Sequence, residues 1–262
     1  MAETQPTYAL ITGASKGIGK AMAIALAKRK VNLLLAARSA TALGDLQLEI
    51  QTTYGITVDS LAIDLTGPNA ASDLYQWVVN KKINISILIN NAGYGLWGKF
   101  GELNLSEQLE MCQLNINVVT ALCHYFIPML QNEKQAYILN VCSTAAYQAV
   151  PTLAVYSATK AYILSFTRAL RFELKNSSIS VSCLSPGPVD TGFAERAGLD
   201  AFSKMAEKFN MKPNEVAEIA LKGMFARKSE IIPGFTNIIS VYANRMLPKA
   251  FIEKMAAGIY KV

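Results

Sequence analysis

Tyr8-Ala9-Leu10-Ile11-Thr12 runs directly into Gly13-Ala14-Ser15-Lys16-Gly17-Ile18-Gly19. The first five residues are a short apolar run bounded by turn residues, the pattern of a buried strand. A helical pattern then continues to Arg29. Strand, glycine-rich turn and helix, in that order, are the context in which a turn binds a dinucleotide. The glycines let the backbone pass close to a pyrophosphate, whose charge sits at the helix N-terminus. The spacing is T-G-x-x-x-G-x-G rather than the commoner G-x-G-x-x-G, and alone it is also compatible with a plain tight connection.

Outward from this turn, strand and helix patterns alternate. Residues 32–37 read as a second strand that ends at Arg38, about twenty residues after the turn, where an acidic side chain would bind the ribose 2′-hydroxyl of NAD. The chain has Ala37-Arg38 there, and Lys16 adds a second cation in the turn itself. Cations beside the adenosine ribose favour a 2′-phosphate, hence NADP(H) over NAD. Residues 40–54 read as a helix, 57–62 as a strand ending at Asp64-Leu65, 68–80 as a helix, and 85–89 as a strand. Asn90-Asn91-Ala92-Gly93 follows at that strand's carboxyl end. Residues 105–130 read as one long helix with apolar positions at Leu105, Leu109, Cys112, Ile116 and Val119. A strand over 136–142 delivers Ser143, a helix spans 155–174, and a strand spans 179–184. The expected fold is α/β: one doubly wound domain with a mainly parallel sheet.

Composition narrows the function. With 262 residues, 52% hydrophobic and 17% charged, the chain is long and apolar enough for a full core and is not disordered. Its longest nearly apolar run, 118–130, is broken by Thr120, His124 and Pro128 and is too short to span a bilayer. The start, Met1-Ala2-Glu3-Thr4-Gln5-Pro6, lacks the basic and apolar segments of a signal peptide, so a cytoplasmic location is expected. Cys112, Cys123, Cys142 and Cys183 have no metal-ligand spacing, and no metal is expected. The single histidine, His124, sits in an apolar helical stretch as a packed or interface residue. The net charge of +6 does not imply nucleic acid, because Lys28-Arg29-Lys30, Lys81-Lys82 and Arg227-Lys228 fall at predicted helix ends, where they offset the dipole.

Tyr156 and Lys160, four residues apart, share one helix face, and Ser143 precedes Tyr156 by thirteen residues. A free phenol titrates near pH ~10, and a neighbouring ammonium lets it exchange protons closer to neutrality. With Thr12-Gly13-x-x-x-Gly17-x-Gly19, Asn90-Asn91-Ala92-Gly93 and Pro186-Gly187, these residues give five motifs in order. In them the chain resembles the short-chain dehydrogenase/reductase family over nearly its whole length, and is similar to a bacterial-type branch near 3-oxoacyl and hydroxysteroid reductases.

The resemblance implies a Rossmann-type fold and a catalytic set of Ser143, Tyr156, Lys160 and an asparagine of the long helix. Asn115 and Asn117 are the candidates for that asparagine, and the register of Asn115 matches better. By the same resemblance Gly13, Ser15, Lys16, Gly17, Ile18 and Gly19 hold phosphates and ribose, with Arg38 at the 2′ position. Asp64 and Leu65 flank adenine, and Asn91, Ala92 and Gly93 line the adenosine side. Lys160 also binds the nicotinamide ribose. Pro186, Gly187, Val189 and Thr191 meet the nicotinamide.

A substrate lid is expected over about residues 190–212, where Phe193, Leu199, Phe202, Met205, Phe209 and Met211 are candidate walls of an apolar pocket with Tyr94, Leu96 and Trp97. The catalytic domain is expected over residues 1–235. The tail, 236–262, carries an amphipathic stripe of Phe251, Ile252, Met255 and Ile259 with a net charge of +3 from Arg245, Lys249, Lys254 and Lys261 against Glu253. It can dock on the domain or on a sister subunit, or make a weak contact with an anionic bilayer.

The leading functional reading is NADPH-dependent reduction of a fairly apolar ketone or aldehyde, with a homodimer or homotetramer expected from the family. NAD-dependent alcohol oxidation, which Arg38 and Lys16 argue against, and a non-catalytic NADP-binding regulator are the alternatives.

Overall fold

A computed structural model describes residues 8–192, 197 and 210–260. Its centre is a seven-stranded sheet in the order β3-β2-β1-β4-β5-β6-β7, every pairing parallel. The strands are β1 (Tyr8–Thr12), β2 (Asn32–Ala37), β3 (Val58–Ala62), β4 (Ile85–Asn90), β5 (Ala136–Val141), β6 (Ile179–Leu184) and β7 (Glu230–Ile231). β1, β2, β4 and β6 are buried at every position, as strands covered on both faces must be, which is why they read as continuous apolar runs.

Alternate residues of β1 feed opposite layers. Tyr8 and Leu10 join a core containing Leu122, Phe126 and Ile163, whereas Ala9 and Ile11 join one containing Met22, Leu26 and Leu221. The first layer is closed by α3 (Ala70–Asn80), α5 (Val119–Gln131) and α6 (Ala154–Glu173). The second is closed by α1 (Gly17–Lys28), α2 (Ala40–Tyr54) and α7 (Pro213–Phe225), with α1 packed along α7. The fold is therefore a single Rossmann-like domain. The paired basic residues do end helices: Lys30, Lys82 and Arg227 take left-handed φ of 60°, 54° and 56° just past α1, α3 and α7. Lys30 Nζ there donates to the Tyr54 carbonyl at 2.5 Å.

Three features depart from the sequence expectation. The long helix is three pieces, α4 (Leu105–Cys112), a π-helical turn (Gln113–Val118) and α5. Its expected apolar stripe holds only in part: Val119 is buried and Cys112 and Ile116 are half-buried, but Leu105 and Leu109 are exposed, whereas Gln108, Met111, Leu114 and Val118 face the core. The tail forms α8 (Phe235–Met246) and α9 (Lys249–Tyr260). In the expected tail stripe only Ile252 is seen buried, beside Ala256; Phe251 points to solvent, and the side chains of Met255 and Ile259 lie outside the described residues. Finally, α3 starts two residues after Pro68, at Ala70.

Candidate active site

The carboxyl ends of the parallel strands converge on one cavity of about 940 Å³. Thr12, buried and outside the cavity lining, joins β1 to β4. Its Oγ1 accepts the backbone N–H groups of Asn91 and Ala92, both at 3.0 Å. The Asn91 side chain reciprocates, donating to the carbonyls of Thr12 and Gly13 at 2.9 and 3.1 Å. The Asn91 amide thus ties down the glycine turn as well as lining the cavity. Thr12 carries this junction and was not singled out as a site residue; a hydroxyl at the last position of β1 was the available signal.

At its glycines the turn leaves no room for side chains. Gly13 has φ +65°, and a Cβ there would lie 2.9 Å from Ala92 Cα. A Cβ at Gly19 would lie 2.3 Å from the Gly13 carbonyl oxygen. Gly19 packs behind the turn and does not line the cavity, while Gly13, Ser15, Lys16, Gly17 and Ile18 do. Lys16 precedes α1 without a side-chain cap on the helix N-terminus, so the first N–H groups remain available to an anion. Arg38 and Lys16 both line this end and are in none of the ion pairs among the described residues. Asp64 and Leu65 line the wall beside them, and the Asp64 carboxylate accepts from the Thr66 amide at 3.0 Å.

Three strand positions from β2, β5 presents Ser143, and α6 places Tyr156 and Lys160 against the same cavity. Ser143 opens the short helical turn Thr144–Tyr147, its Oγ accepting the Ala145 N–H at 3.1 Å. Lys160 is only 6% exposed, donates from Nζ to the Val141 carbonyl at 3.0 Å, and lies 5.7 Å from the centre of the Tyr156 ring. Burial pushes its ammonium below the usual lysine range.

The structure separates the two asparagines. Asn115 is 1% exposed; it exchanges hydrogen bonds with the Tyr94 backbone (3.2 and 2.9 Å) and donates to Thr159 Oγ1 at 3.1 Å. A Cβ on Gly93 would sit 2.9 Å from Asn115 Oδ1 and 3.5 Å from Lys160 Nζ, so both side chains meet the Gly93 backbone, and Asn115 does so without lining the cavity. The π-helical turn that carries it interrupts the regular carbonyl ladder at this point. Asn117 is exposed on the opposite face and pairs with Gln113 at 2.6 Å. His124 is exposed on that outer face too, its ring edge against Tyr125.

After β6, Pro186, Gly187, Val189 and Thr191 complete the cavity wall. Thr144 N–H donates to the Pro186 carbonyl at 2.9 Å, which links this loop to the Ser143 segment. Of the expected pocket walls, Tyr94 is a core residue bonded through its hydroxyl to the Glu107 carbonyl, and Leu96 and Trp97 pack on the core instead of lining the cavity. Phe193, Leu199, Phe202, Met205 and Phe209 lie outside the described residues.

A doubly wound parallel sheet, a glycine turn with free helix N–H groups and a Ser-Tyr-Lys set at the strand ends define a nicotinamide-dinucleotide oxidoreductase. The short chain dehydrogenase family model matches residues 7–233, and the chain belongs to that family. It is 31% identical over 231 residues to an NADP-dependent 3-hydroxy acid dehydrogenase of Schizosaccharomyces pombe, covering 85% of this chain and 88% of that one. A short-chain dehydrogenase from Sphingobium yanoikuyae in complex with NADPH superposes with a TM-score of 0.82 at 28% identity, over 97% of this chain and 95% of the other. A Burkholderia phymatum short-chain dehydrogenase/reductase in complex with NAD shares the fold, with a TM-score of 0.82 at 24% identity over 92% and 94% of the two chains.

Proposed function

We propose that this oxidoreductase uses NADPH to reduce the carbonyl of a fairly apolar ketone or aldehyde to an alcohol. The observation that carries the reading is the combination, in one cavity, of two cations outside the ion pairs of the described residues, Lys16 and Arg38, with Ser143, Tyr156 and Lys160 beyond β4. The residues fit the cofactor: the glycine turn is a cradle that Cβ atoms would fill, and the two cations suit a 2′-phosphate.

When bound, the dihydronicotinamide supplies the hydride. Ser143 Oγ hydrogen-bonds the substrate oxygen and holds the carbonyl in place. The Tyr156 hydroxyl gives its proton to that oxygen as the alcohol forms. Lys160, charged and desolvated beside the phenol, lowers the cost of the tyrosinate left behind and binds the nicotinamide ribose. Asn115, which meets the Gly93 backbone as Lys160 does, holds the Gly93 loop and positions the route by which Tyr156 is reprotonated.

Residues 1–235 form the catalytic unit in this reading, with 236–262 completing the cavity. The outer faces of α4–α6, with exposed Leu105, Leu109, Tyr162 and Phe172, suit a homodimer or homotetramer. The outer stripe of α8 suits a weak contact with an anionic bilayer through Phe235, Ile239, Tyr242 and Met246 with the nearby Lys249 and Lys254. Four free cysteines are consistent with a cytoplasmic setting.

The test is NADPH oxidation by the purified chain with 3-oxoacyl thioesters, steroid ketones and simple aldehydes. Tyr156→Phe should lower kcat/KM by about 10³-fold while NADPH still binds. Turnover in the variant equal to wild type would remove Tyr156 from the mechanism.

A further inference from the structure

The substrate end of the cavity has a polar wall that the reaction does not use. It comes from α8, an otherwise apolar helix whose outer face carries Phe235, Ile239, Tyr242 and Met246. Asn237, Ser240 and Asn244 lie three and four residues apart on it, which puts all three on one face.

Asn237 anchors the helix. Its amide donates to the Pro233 carbonyl at 2.7 Å, and its Oδ1 comes so close to Gly187 that a Cβ there would be 2.3 Å away. Gly187 is therefore a docking point for α8 as well as part of the loop after β6. That loop is bonded to the Ser143 segment, so α8 has a fixed position relative to the reacting groups.

Two turns on, Asn244 lines the cavity and is 8% exposed. Among the described residues its side-chain amide has no hydrogen-bond partner; only its backbone carbonyl is engaged, by Lys249 Nζ at 3.0 Å. Gln148, at the end of the Thr144–Tyr147 turn against which α8 packs, lines the same cavity with an amide likewise unpartnered among the described residues. Asn244 is largely buried and Gln148 half-buried, and neither amide is among the sealed, unpartnered side-chain atoms of the described residues, so both open onto the cavity, where a ligand can take up their hydrogen-bonding groups.

The position of the pair excludes a cofactor role at the adenosine end. β7, which precedes α8, is the edge strand beyond β6, on the opposite side of Ser143 from Lys16 and Arg38. The chemistry points to an uncharged group. Asn and Gln amides each offer a donor and an acceptor, which suits a hydroxyl or a second carbonyl. The cations lining the cavity among the described residues, Lys16, Arg38 and Lys160, are all assigned to the cofactor, leaving none of them to pair with a substrate carboxylate.

We propose that Asn244, with Gln148, recognises a second, uncharged hydrogen-bonding group on the substrate, so that the preferred substrates are ketones bearing a hydroxyl or keto group remote from the reacting carbonyl. This rests on the carbonyl-reductase reading above.

The experiment compares three ketones of one carbon skeleton (unsubstituted, with a remote hydroxyl, with a remote carboxylate) in NADPH oxidation by the full chain, wild type, Asn244→Leu and Asn244→Gln. Wild type should favour the hydroxyketone over the unsubstituted ketone by roughly 10- to 100-fold in kcat/KM, expressed mostly in KM. Asn244→Leu should bring that ratio to near one while NADPH binding persists, and Asn244→Gln should restore part of it. A wild-type ratio near one, a ratio unchanged in Asn244→Leu, or a preference for the carboxylate would each overturn the inference and leave the reductase reading standing. Absence of turnover with all three and with the aldehydes would overturn both. If Asn244→Leu fails to fold, the ratio in Asn244→Gln and in Gln148→Leu decides, with no change in either counting against the proposal.

Discussion

The two ends of the cavity are built from different material. At the adenosine end the frame is backbone (a glycine turn, the N–H groups of Asn91 and Ala92 gathered on Thr12, and a helix N-terminus), with the side chains of Lys16, Arg38, Asp64 and Leu65 set on it. At the substrate end the walls are side chains on separate elements: Ser143 and Gln148 around a short turn, Tyr156 on α6, Asn244 on α8. The backbone frame tolerates almost no substitution at Gly13 and Gly19, where an added Cβ meets another backbone atom. Side-chain walls can be changed one at a time, with the frame intact. The first end therefore serves a ligand that never varies, and the second is where a new substrate is accommodated.

Substituting each end should show the contrast, and the largest effect belongs to the backbone end. Gly19→Ala would set a Cβ 2.3 Å from the Gly13 carbonyl oxygen and 2.5 Å from Asn91 Nδ2. Neither can withdraw without breaking the junction with Thr12, so the turn itself must move. Overpacking of this kind costs about 1–3 kcal/mol. Both thermal stability and NADPH affinity should fall, the affinity by more than about tenfold. A variant with normal melting and normal NADPH titration would show that this end is as adaptable as the other.

An effect on cofactor choice alone, with none on stability, is expected at Arg38, which is exposed and outside the ion pairs of the described residues. Arg38→Glu should leave the melting temperature unchanged and shift preference from NADPH toward NADH by roughly 10- to 50-fold, the scale of removing one charge-assisted hydrogen bond and introducing one repulsion. Steady-state kinetics with both cofactors measures it; an unchanged ratio would assign the 2′-phosphate to Lys16 alone.

The same difference explains what could be read from the residues. The glycine turn, the ends of β1, β2 and β6, and the Tyr156–Lys160 pair depend on local rules (positive φ, continuous apolar runs, i to i+4 spacing) and are legible in the sequence. The long helix was harder. It is apolar on two faces, and periodicity selected the outer one, Leu105 and Leu109, over the inner Met111, Leu114 and Val118. The π-helical turn then shifts the phase in the very segment that holds Asn115 and Asn117, so helical periodicity gave no choice between them, and the preference for Asn115 came from the family's register. Asn244 was missed because its meaning comes from neighbours distant in sequence. The available sign was a polar i, i+3, i+7 row on an apolar helix.

The last prediction concerns Lys160, where site and fold make opposite demands and the change in stability is small. Its ammonium is buried, with the Val141 carbonyl as its hydrogen-bond acceptor, and it is in none of the carboxylate ion pairs among the described residues. Its pKa lies below the usual 10.5 because burial disfavours the charged form. The unfolded chain therefore holds this proton more tightly than the folded one. Stability rises with pH between the lowered folded pKa and 10.5, and below that window the buried charge is a constant burden. Lys160→Met removes the burden. It should abolish most turnover yet melt at or above the wild-type temperature at pH 7, by no more than a few degrees. The wild type should close that gap as pH climbs toward 10.5, where its lysine is neutral when folded. Urea unfolding of both proteins at pH 7 and near pH 10 reads the difference directly. A wild type more stable than the variant at pH 7, with the margin shrinking at high pH, would mean that the charge supports the fold. Lys160 would then belong with the rigid backbone end of the cavity instead of with the side chains held in place at a cost to stability.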